Sequence, residues 1–287
     1  MTEYRTYLVV DLKYNSVSFL DDVPAGGWSD EYKTVKLVLR YIPAGSFIMG
    51  SSEEEYNGWF DETQHKVTLT RPFYIGVFQM TQKQYEIVTG ENPSANKNGD
   101  THPVELLTYD DIRGYEKGSQ WPRNNKVDDF SFLGKLRART KLDFDLPTEA
   151  QWEYACRAGT TTAWNNGTEM VDWDRDPNLD KLGRYHMGNE WVDGKRICHA
   201  PVGSYLPNAW GLYDMHGNVD EWVLDFYNDD ISKRAVKDPK GPNNDGARVK
   251  RGGGCYSDAV ECRSASRDYS YNGCATGSSG FRLALPL

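Results

Sequence analysis

The pattern of hydrophobic and polar residues predicts short strands and short helices joined by long polar connections. Runs of β-branched and aromatic residues indicate the strands, and a Thr followed three residues later by Gln or Asp marks most helix starts. After Gly159 the chain shows little periodicity until Gly194. The predicted strands are residues 7–12, 35–42, 66–70 and 73–77, with a turn at 24–27. The predicted helices run from Thr81 through Val88, over 109–117 after Thr108, over 132–139, and from Thr148 to a stop at Gly159.

Composition predicts a loop-rich chain of one large domain or two ordinary ones. Of its 287 residues, 38% are hydrophobic and 13% aromatic, which suffices for a packed core. A net charge of -9 argues against nucleic acid and anionic membranes as partners. No apolar run approaches the length of a membrane span. The N-terminus lacks the order of a signal peptide, which leaves open a cytosolic protein or a removed leader.

The five cysteines lack metal-ligand spacing, because no C-x-x-C occurs. Cys156 shares a predicted helix face with Trp152 and Ala155, so we expect it to be a small buried hydrophobic residue. Cys255 and Cys262 lie seven residues apart and could form a disulfide, a reactive pair or two unrelated thiols.

Residues 254–279 have a restricted composition. The segment reads G-C-Y-S-D-A-V-E-C-R-S-A-S-R-D-Y-S-Y-N-G-C-A-T-G-S-S, with no Lys, Gln, Met, Trp, Leu, Ile, Phe or Pro. Tyr, Ser, Gly, Asp and Asn are the residues of adaptable binding surfaces, in which rigid rings stand beside small hydrogen-bonding groups. The segment is therefore either a polar loop between two strands or a binding surface.

The segment 208–222, N-A-W-G-L-Y-D-M-H-G-N-V-D-E-W, carries the strongest local signal. Its glycines indicate a backbone that folds back on itself, and its large apolar residues can anchor that loop in a core. Asp214 and Glu221 offer oxygen ligands near turned carbonyls, a setting that calcium prefers, although acids here can also cap turns. His216 stands alone, which favours a structural role.

The chain contains, in this order, the segments 42–50 (I-P-A-G-S-F-I-M-G), 72–81 (P-F-Y-I-G-V-F-Q-M-T), 102–109 (H-P-V-E-L-L-T-Y), 146–159 (L-P-T-E-A-Q-W-E-Y-A-C-R-A-G), 208–222 and 248–282. Together these six segments resemble the formylglycine-generating-enzyme-like family, a loop-rich elaboration of the C-type lectin fold. This resemblance implies an α+β domain over 41–287, with residues 1–40 as an N-terminal extension packed on it and a variable region at about 248–283. It also implies a structural calcium ion held by Asp214, Gly217, Val219 and Glu221, with Gly and Val contributing carbonyls.

The chain departs from the enzymes of this family at their catalytic cysteines. Those enzymes carry a C-x4-C pair shortly after an R-G-G, whereas Arg251-Gly252-Gly253 is followed by Cys255 and Cys262 at a different spacing. Related sulfoxide synthases bind iron through a histidine triad, and the five histidines here form no H-x3-H-x-E cluster. We therefore expect no redox cofactor and no catalysis. A copper-dependent formylglycine-generating oxidase is the alternative.

The C-terminal segment is similar to the variable region of proteins diversified by retroelements, which mutate template adenines. An A-A-C codon then becomes N-N-C, which never encodes Lys, Gln, Glu, Met or Trp; Glu261 is the exception here. Such variable proteins carry the region at the C-terminus of a C-type lectin fold, ending in G-F-R-L-A as at 280–284. The resemblance implies a non-catalytic, receptor- or adhesin-like protein with a diversified ligand-binding surface. The residues assigned to that surface are Gly254, Cys255, Tyr256, Ser257, Asp258, Val260, Ser266, Asp268, Tyr269, Ser270, Tyr271, Gly277, Ser278 and Ser279.

This similarity also sets expectations for burial and partners. Within the surface, Tyr256, Ser257, Asp258, Ser266, Asp268, Tyr269 and Tyr271 should be exposed together, and Cys262, Ala265 and Phe281 should be buried. Arg263, Arg267 and Arg282 should be buried ion-pair or hydrogen-bond partners. The expected ligand is a protein or glycan at a cell surface, bound by a monomer that was anchored there, for example as a lipoprotein whose leader has been removed.

Overall fold

The computed structural model describes residues 5–55, 60–187, 191–192, 195–196 and 198–287, with the backbone alone for 191–192 and 195–196. The four strands predicted from sequence are confirmed to within a residue at each end. The turn is confirmed as well, since the Gly27 N–H donates to Pro24 O at 2.7 Å. In this N-terminal part of the chain, two further strands were not predicted from the sequence. The six N-terminal strands are β1 (Tyr7–Asp11), β2 (Ser16–Leu20), β3 (Lys36–Ile42), β4 (Gly45–Met49), β5 (His65–Leu69) and β6 (Phe73–Gly76).

Four helices begin at the predicted positions, because a Thr or Ser oxygen caps each N-terminus. The second helix is shorter than predicted. It ends before Gly114, whose φ is 94°, and the Asp128 carboxylate accepts the following amides of Glu116 and Lys117 at 2.7 and 2.8 Å. The helices are α1 (Gln82–Thr89), α2 (Tyr109–Arg113), α3 (Phe132–Thr140) and α4 (Glu149–Arg157).

The remaining chain is largely irregular and returns to strands near its end. Within the described residues, three 3-10 turns interrupt the loops, at Asp30–Lys33, Gly118–Gln120 and Ala259–Cys262. No described helix is long and apolar enough to cross a bilayer. The C-terminal strands are β7 (Trp191–Val192), β8 (Lys195–Arg196), β9 (Asp220–Phe226), β10 (Val236–Lys237), β11 (Arg248–Arg251), β12 (Arg267–Ser270), β13 (Ser279–Gly280) and β14 (Ala284–Pro286).

Two sheets position the C-terminal segment. The first has the order β14-β6-β3-β1-β2, so the N-terminal hairpin and the last strand of the chain belong to one sheet. The second has the order β12-β11-β9-β13, which puts β12 at its edge. The remaining strands pair as β10-β5-β4 and β7-β8. The variable segment, residues 248–283, therefore leaves the sheet after β11 and returns to it at the exposed edge strand β12.

The core joins helices and sheets through large aromatic side chains. Trp152 of α4 and Trp222 of β9 are fully buried, and Phe281 packs edge-on against Phe132 of α3 at 5.1 Å between ring centroids. Short helices packed on mixed and antiparallel sheets make this an α+β fold, as predicted.

Candidate functional site

Four buried arginines within the variable segment form a frame that holds its backbone. Arg248, Arg251, Arg263 and Arg282 are at most 1% exposed. Arg263 contacts Glu62 and Glu55, each at 2.7 Å. Arg251 pairs with Glu153 and Arg282 with Glu221, whereas Arg248 donates to backbone carbonyls. Since a buried charge must be paired, these contacts fix the backbone from which the variable residues project.

The predicted roles of three arginines are confirmed by these contacts. Arg267 donates to both carboxylate oxygens of Glu149, at 2.6 and 3.0 Å, and to the carbonyls of Asp61 and Asn228. Arg263 and Arg282 are likewise ion-paired in the interior. The predicted burial of Cys262, Ala265 and Phe281 is also confirmed.

Eight of the fourteen variable residues reach solvent, and they lie on β12, on the loop after it and near the 3-10 turn. Tyr269 and Tyr271 are 52% and 66% exposed. Tyr269 packs on Tyr227 with a centroid separation of 4.2 Å, which holds its ring against the surface. The exposed residues are Asp268, Tyr269 and Tyr271, and the half-buried ones are Tyr256, Ser257, Asp258, Ser270 and Gly277.

Six of the fourteen residues are buried, which corrects their assignment to a ligand-contacting surface. Val260 packs in a core cluster with Trp164, and Ser266 lies beneath the surface where Arg251 binds its carbonyl at 2.7 Å. Exposure of Ser266 was therefore wrongly predicted. Gly254 lies close against Ser278, since a Cβ added to Gly254 would lie 2.7 Å from Ser278 Cβ. The buried residues are Gly254, Cys255, Val260, Ser266, Ser278 and Ser279.

A buried lysine that sequence reasoning missed links the two parts of the variable segment. Lys250 Nζ lies 2.6 Å from Asp268 Oδ2 and 3.8 Å from Asp220 Oδ2, and Ser278 Oγ donates to Asp220 at 2.9 Å. Burial raises the pKa of the Asp220 carboxyl, and the neighbouring Lys250 ammonium offsets only part of this rise. The sequence R-V-K-R at 248–251 does not indicate which of its charged side chains are buried.

Cys198 and Cys255 form a disulfide, with 5.5 Å between their Cα atoms. Of the three alternatives for Cys255 and Cys262, the disulfide and the reactive pair are therefore excluded, and the two residues are unrelated. Cys262 is free and buried on the 3-10 turn, where its sulfur packs against Gly253, and burial raises its pKa. Cys156 is buried as predicted, and burial raises the pKa of its thiol to about 12. Neither of these two buried thiols has the solvent access of a reactive cysteine.

The four residues assigned to calcium do direct oxygens at a common point, but that point holds the Gln79 amide nitrogen. Gln79 Nε2 lies 3.1 Å from Asp214 O, 3.2 Å from Gly217 O, and 3.0 Å from Val219 O and Glu221 Oε1. Asp214 contacts the Gln79 amide through its backbone carbonyl, whereas its carboxylate accepts the Gly203 N–H at 2.7 Å. All four oxygens are acceptors, so the amide must turn its nitrogen toward them.

Arg282 forms an ion pair with Glu221, the carboxylate among the oxygens that surround the Gln79 amide. Its guanidinium donates to both oxygens of Glu221 at 2.6 Å and to Asp214 O at 3.1 Å. A dication would therefore meet a full positive charge and an amide N–H where it needs oxygen ligands. As arranged here, these residues do not fit a calcium ion.

His216, a residue of the segment 208–222, is fully buried and has a structural role. Its Nδ1 lies 2.7 Å from Cys262 O, and its Nε2 accepts the Asn165 N–H at 3.2 Å. Burial lowers its pKa to about 4, so the ring is neutral near pH 7. It joins the loop to the 3-10 turn of the variable segment.

Comparisons with known proteins agree with this architecture. The family described as "Sulfatase-modifying factor enzyme 1-like domain" matches residues 31–287. The "Formylglycine-generating enzyme" of Thermomonospora curvata is 34% identical over 85% of this chain and 91% of that protein, and that of Streptomyces coelicolor is 30% identical over 85% and 87%. "Treponema denticola variable protein 1" has the same fold, with a TM-score of 0.69 at 24% identity over 88% of this chain and 96% of that one. The chain belongs to the sulfatase-modifying factor enzyme 1-like family, with a C-type lectin fold of the formylglycine-generating-enzyme subtype.

Proposed function

We propose that this protein is a non-catalytic binding protein that recognises a protein or glycan ligand through its C-terminal segment. The observation that carries the proposal is the separation of frame from surface. Four arginines at most 1% exposed fix the backbone, while Asp268, Tyr269 and Tyr271 project to solvent from an edge strand and its following loop. Exposed tyrosines supply contact area at low conformational cost.

The restricted composition of residues 254–279 supports diversification by a retroelement as the source of this surface. A near-copy of the coding segment for 248–283 beside a reverse transcriptase gene, differing at adenines, is the genomic result this origin requires. We further propose that the protein acts as a monomer at a cell surface, where a receptor or adhesin meets its ligand.

The binding surface is tested on arrays of glycans and of surface proteins. A Tyr269→Ser/Tyr271→Ser double variant should lose ligands that the wild-type protein captures, with little change in melting temperature. Tyr14→Ser is the matched control, because Tyr14 is 70% exposed but lies in the N-terminal hairpin. Equal capture by all three proteins would contradict a binding role for this segment.

A copper-dependent oxidase that converts a sulfatase cysteine is the second candidate. It is favoured by relatives that are named formylglycine-generating enzymes and by the Cys198–Cys255 pair, whose sulfurs lie within 4.8 Å of a His199 ring nitrogen. Copper-dependent oxidation of a C-x-P-x-R peptide, abolished by Cys255→Ser, would establish the enzyme. Cys274→Ser, which changes an exposed free thiol, is the control.

A further inference from the structure

A histidine and two aspartates meet beside the variable surface. His186 Nδ1 lies 2.6 Å from Asp174 Oδ1 and 2.8 Å from Asp258 Oδ1, and the three donor atoms lie within 4.8 Å of one another. The side chains are 31%, 44% and 35% exposed, so the cluster opens to solvent. Asp258 belongs to the variable segment, whereas Asp174 and His186 lie in the irregular region that precedes it.

Hydrogen bonding alone does not satisfy this cluster. A neutral imidazole has at most one proton on Nδ1, and that proton cannot serve two carboxylates at once. His186 Nδ1 is hydrogen-bonded to Asp258, whereas Asp174 Oδ1 is buried and accepts no hydrogen bond within the described chain. Two carboxylate oxygens and a ring nitrogen thus converge, and a cation between them would satisfy all three.

Backbone contacts hold the three ligands in place before any ion binds. The His186 N–H donates to Ser257 O at 2.9 Å, and the Ala259 N–H donates to Asp174 O at 3.0 Å. His186 itself is left-handed, with a φ of 49°, a conformation that non-glycine residues keep only where the surroundings impose it. Since three segments fix one another here, binding would cost little ordering of the chain.

We infer that Asp174, His186 and Asp258 form a binding site for a divalent transition metal such as Zn²⁺, with coordination positions left open to an external oxygen ligand. One imidazole with two carboxylates suits such an ion, and three protein ligands leave room for a fourth. The exposed side of the cluster faces solvent beside the variable residues. A carboxylate or hydroxyl oxygen of the recognised ligand would complete the coordination.

This inference rests on the proposed binding function and gives it a chemical class. Asp258 and its replacement Asn are both encoded by N-N-C, so one diversified position would switch metal-dependent binding on or off. Ligands of the wild-type surface would then be oxygen-rich, as acidic glycans and acidic peptides are.

The site is tested by titrating the full chain with ZnCl2 and with CoCl2, without an affinity tag and without reductant, so that the Cys198–Cys255 disulfide stays closed. We expect one equivalent to bind, and Asp174→Asn, His186→Asn and Asp258→Asn to weaken binding at least about tenfold each. Asp229→Asn is the matched control, since Asp229 is an exposed acid outside the cluster. Melting curves verify that each variant is folded.

Absence of binding up to about 1 mM metal, or equal binding by the three variants and the control, would overturn the site. The open position is tested with acetate, which should shift the visible absorption of the Co²⁺-loaded protein; no shift would overturn that part. Array binding measured in chelator separates the two proposals. Ligands captured through Tyr269 and Tyr271 without metal would support the surface but deny the metal its role, and metal binding without any captured ligand would leave the site but remove the binding function.

Discussion

Gln79 and Arg282 together supply the hydrogen-bond donors and the positive charge that the oxygens of residues 214–221 require. The amide nitrogen faces four acceptors, and the guanidinium binds both oxygens of Glu221. The Gln79 amide and the Arg282 guanidinium thereby take the place of a bound cation at these oxygens. The stability of this loop should consequently be independent of calcium.

Gln79→Glu tests this substitution of a cation by side chains. The variant places a second carboxylate against Glu221 and three carbonyls, so it should lower the melting temperature in chelator and regain much of the loss in millimolar calcium. The wild-type protein should melt at the same temperature in chelator and in calcium. Gln79→Met, which adds no charge, should be destabilised without calcium rescue. A wild-type protein that calcium stabilises would contradict our account.

Arg263 illustrates the cost of breaking the buried frame. It is fully buried against Glu55 and Glu62, so Arg263→Met would leave two acids without their cation. We predict a loss of about 3–5 kcal/mol in the free energy of unfolding, measured by urea denaturation. Arg234→Met is the control, because Arg234 is exposed and should change stability by about 0.5 kcal/mol or less. Similar losses in both variants would argue against a frame held by buried pairs.

At the level of elements, the disulfide ties the start of the variable segment to a loop 57 residues earlier. Reduction, or the Cys198→Ser/Cys255→Ser double variant, should cost about 2–4 kcal/mol because the unfolded chain gains freedom. Reductant should lower the melting temperature of the wild-type protein and leave that of the double variant unchanged. A wild-type melting temperature that does not respond to reductant would show that the bond contributes nothing.

Helix α4 is joined to β9 by a buried acid whose pKa predicts a pH dependence. Asp225 accepts the Glu149 N–H at 2.8 Å; burial, and then the Glu149 carboxylate, raise its pKa to about 7. The unfolded chain loses this proton near pH 4 and the folded chain only near pH 7. Between these values the unfolded state binds fewer protons, so stability falls as pH rises.

Asp225→Asn should remove this contribution while keeping an oxygen for the Glu149 N–H. The unfolding free energy of the wild-type protein, minus that of the variant, should decrease between pH 4 and pH 7 by a few kcal/mol and level off above. Denaturation at several pH values measures the difference. A constant difference across this range would mean that Asp225 ionises alike in both states.

Sequence predicted the elements whose signals are local and missed those that depend on distant partners. Thr81, Thr108 and Thr148 cap helices because their hydroxyls bond amides three residues on. In contrast, β9 is buried along its whole length, so it shows no polar alternation, and β13 exists because Ser279 and Gly280 pair with Asp220 and Glu221. The Cys198–Cys255 disulfide likewise could not be predicted from sequence, because the two residues are 57 positions apart and no local pattern pairs them.

On the scale of the whole molecule, the variable segment combines a fixed frame with a changeable surface. Composition identified the segment and the resemblance identified the inward arginines. Neither could decide which small residues point inward, because the 3-10 turn and the edge strand expose residues at irregular intervals. Ser266 is buried for this reason, although Ser257 and Ser270 of the same segment are half-buried.

Tolerance to diversification is the most direct test of this division. Two display libraries with N-N-C codons would be compared by protease resistance across temperature. One varies the eight exposed or half-buried positions, and the other the six buried positions, of the fourteen assigned to the surface. We predict that most members of the first library remain folded with stabilities near the wild-type value, because surface changes usually cost about 0.5 kcal/mol or less, and that most members of the second unfold. Equal loss of folded members in both libraries would contradict the account of a rigid frame carrying a changeable binding surface.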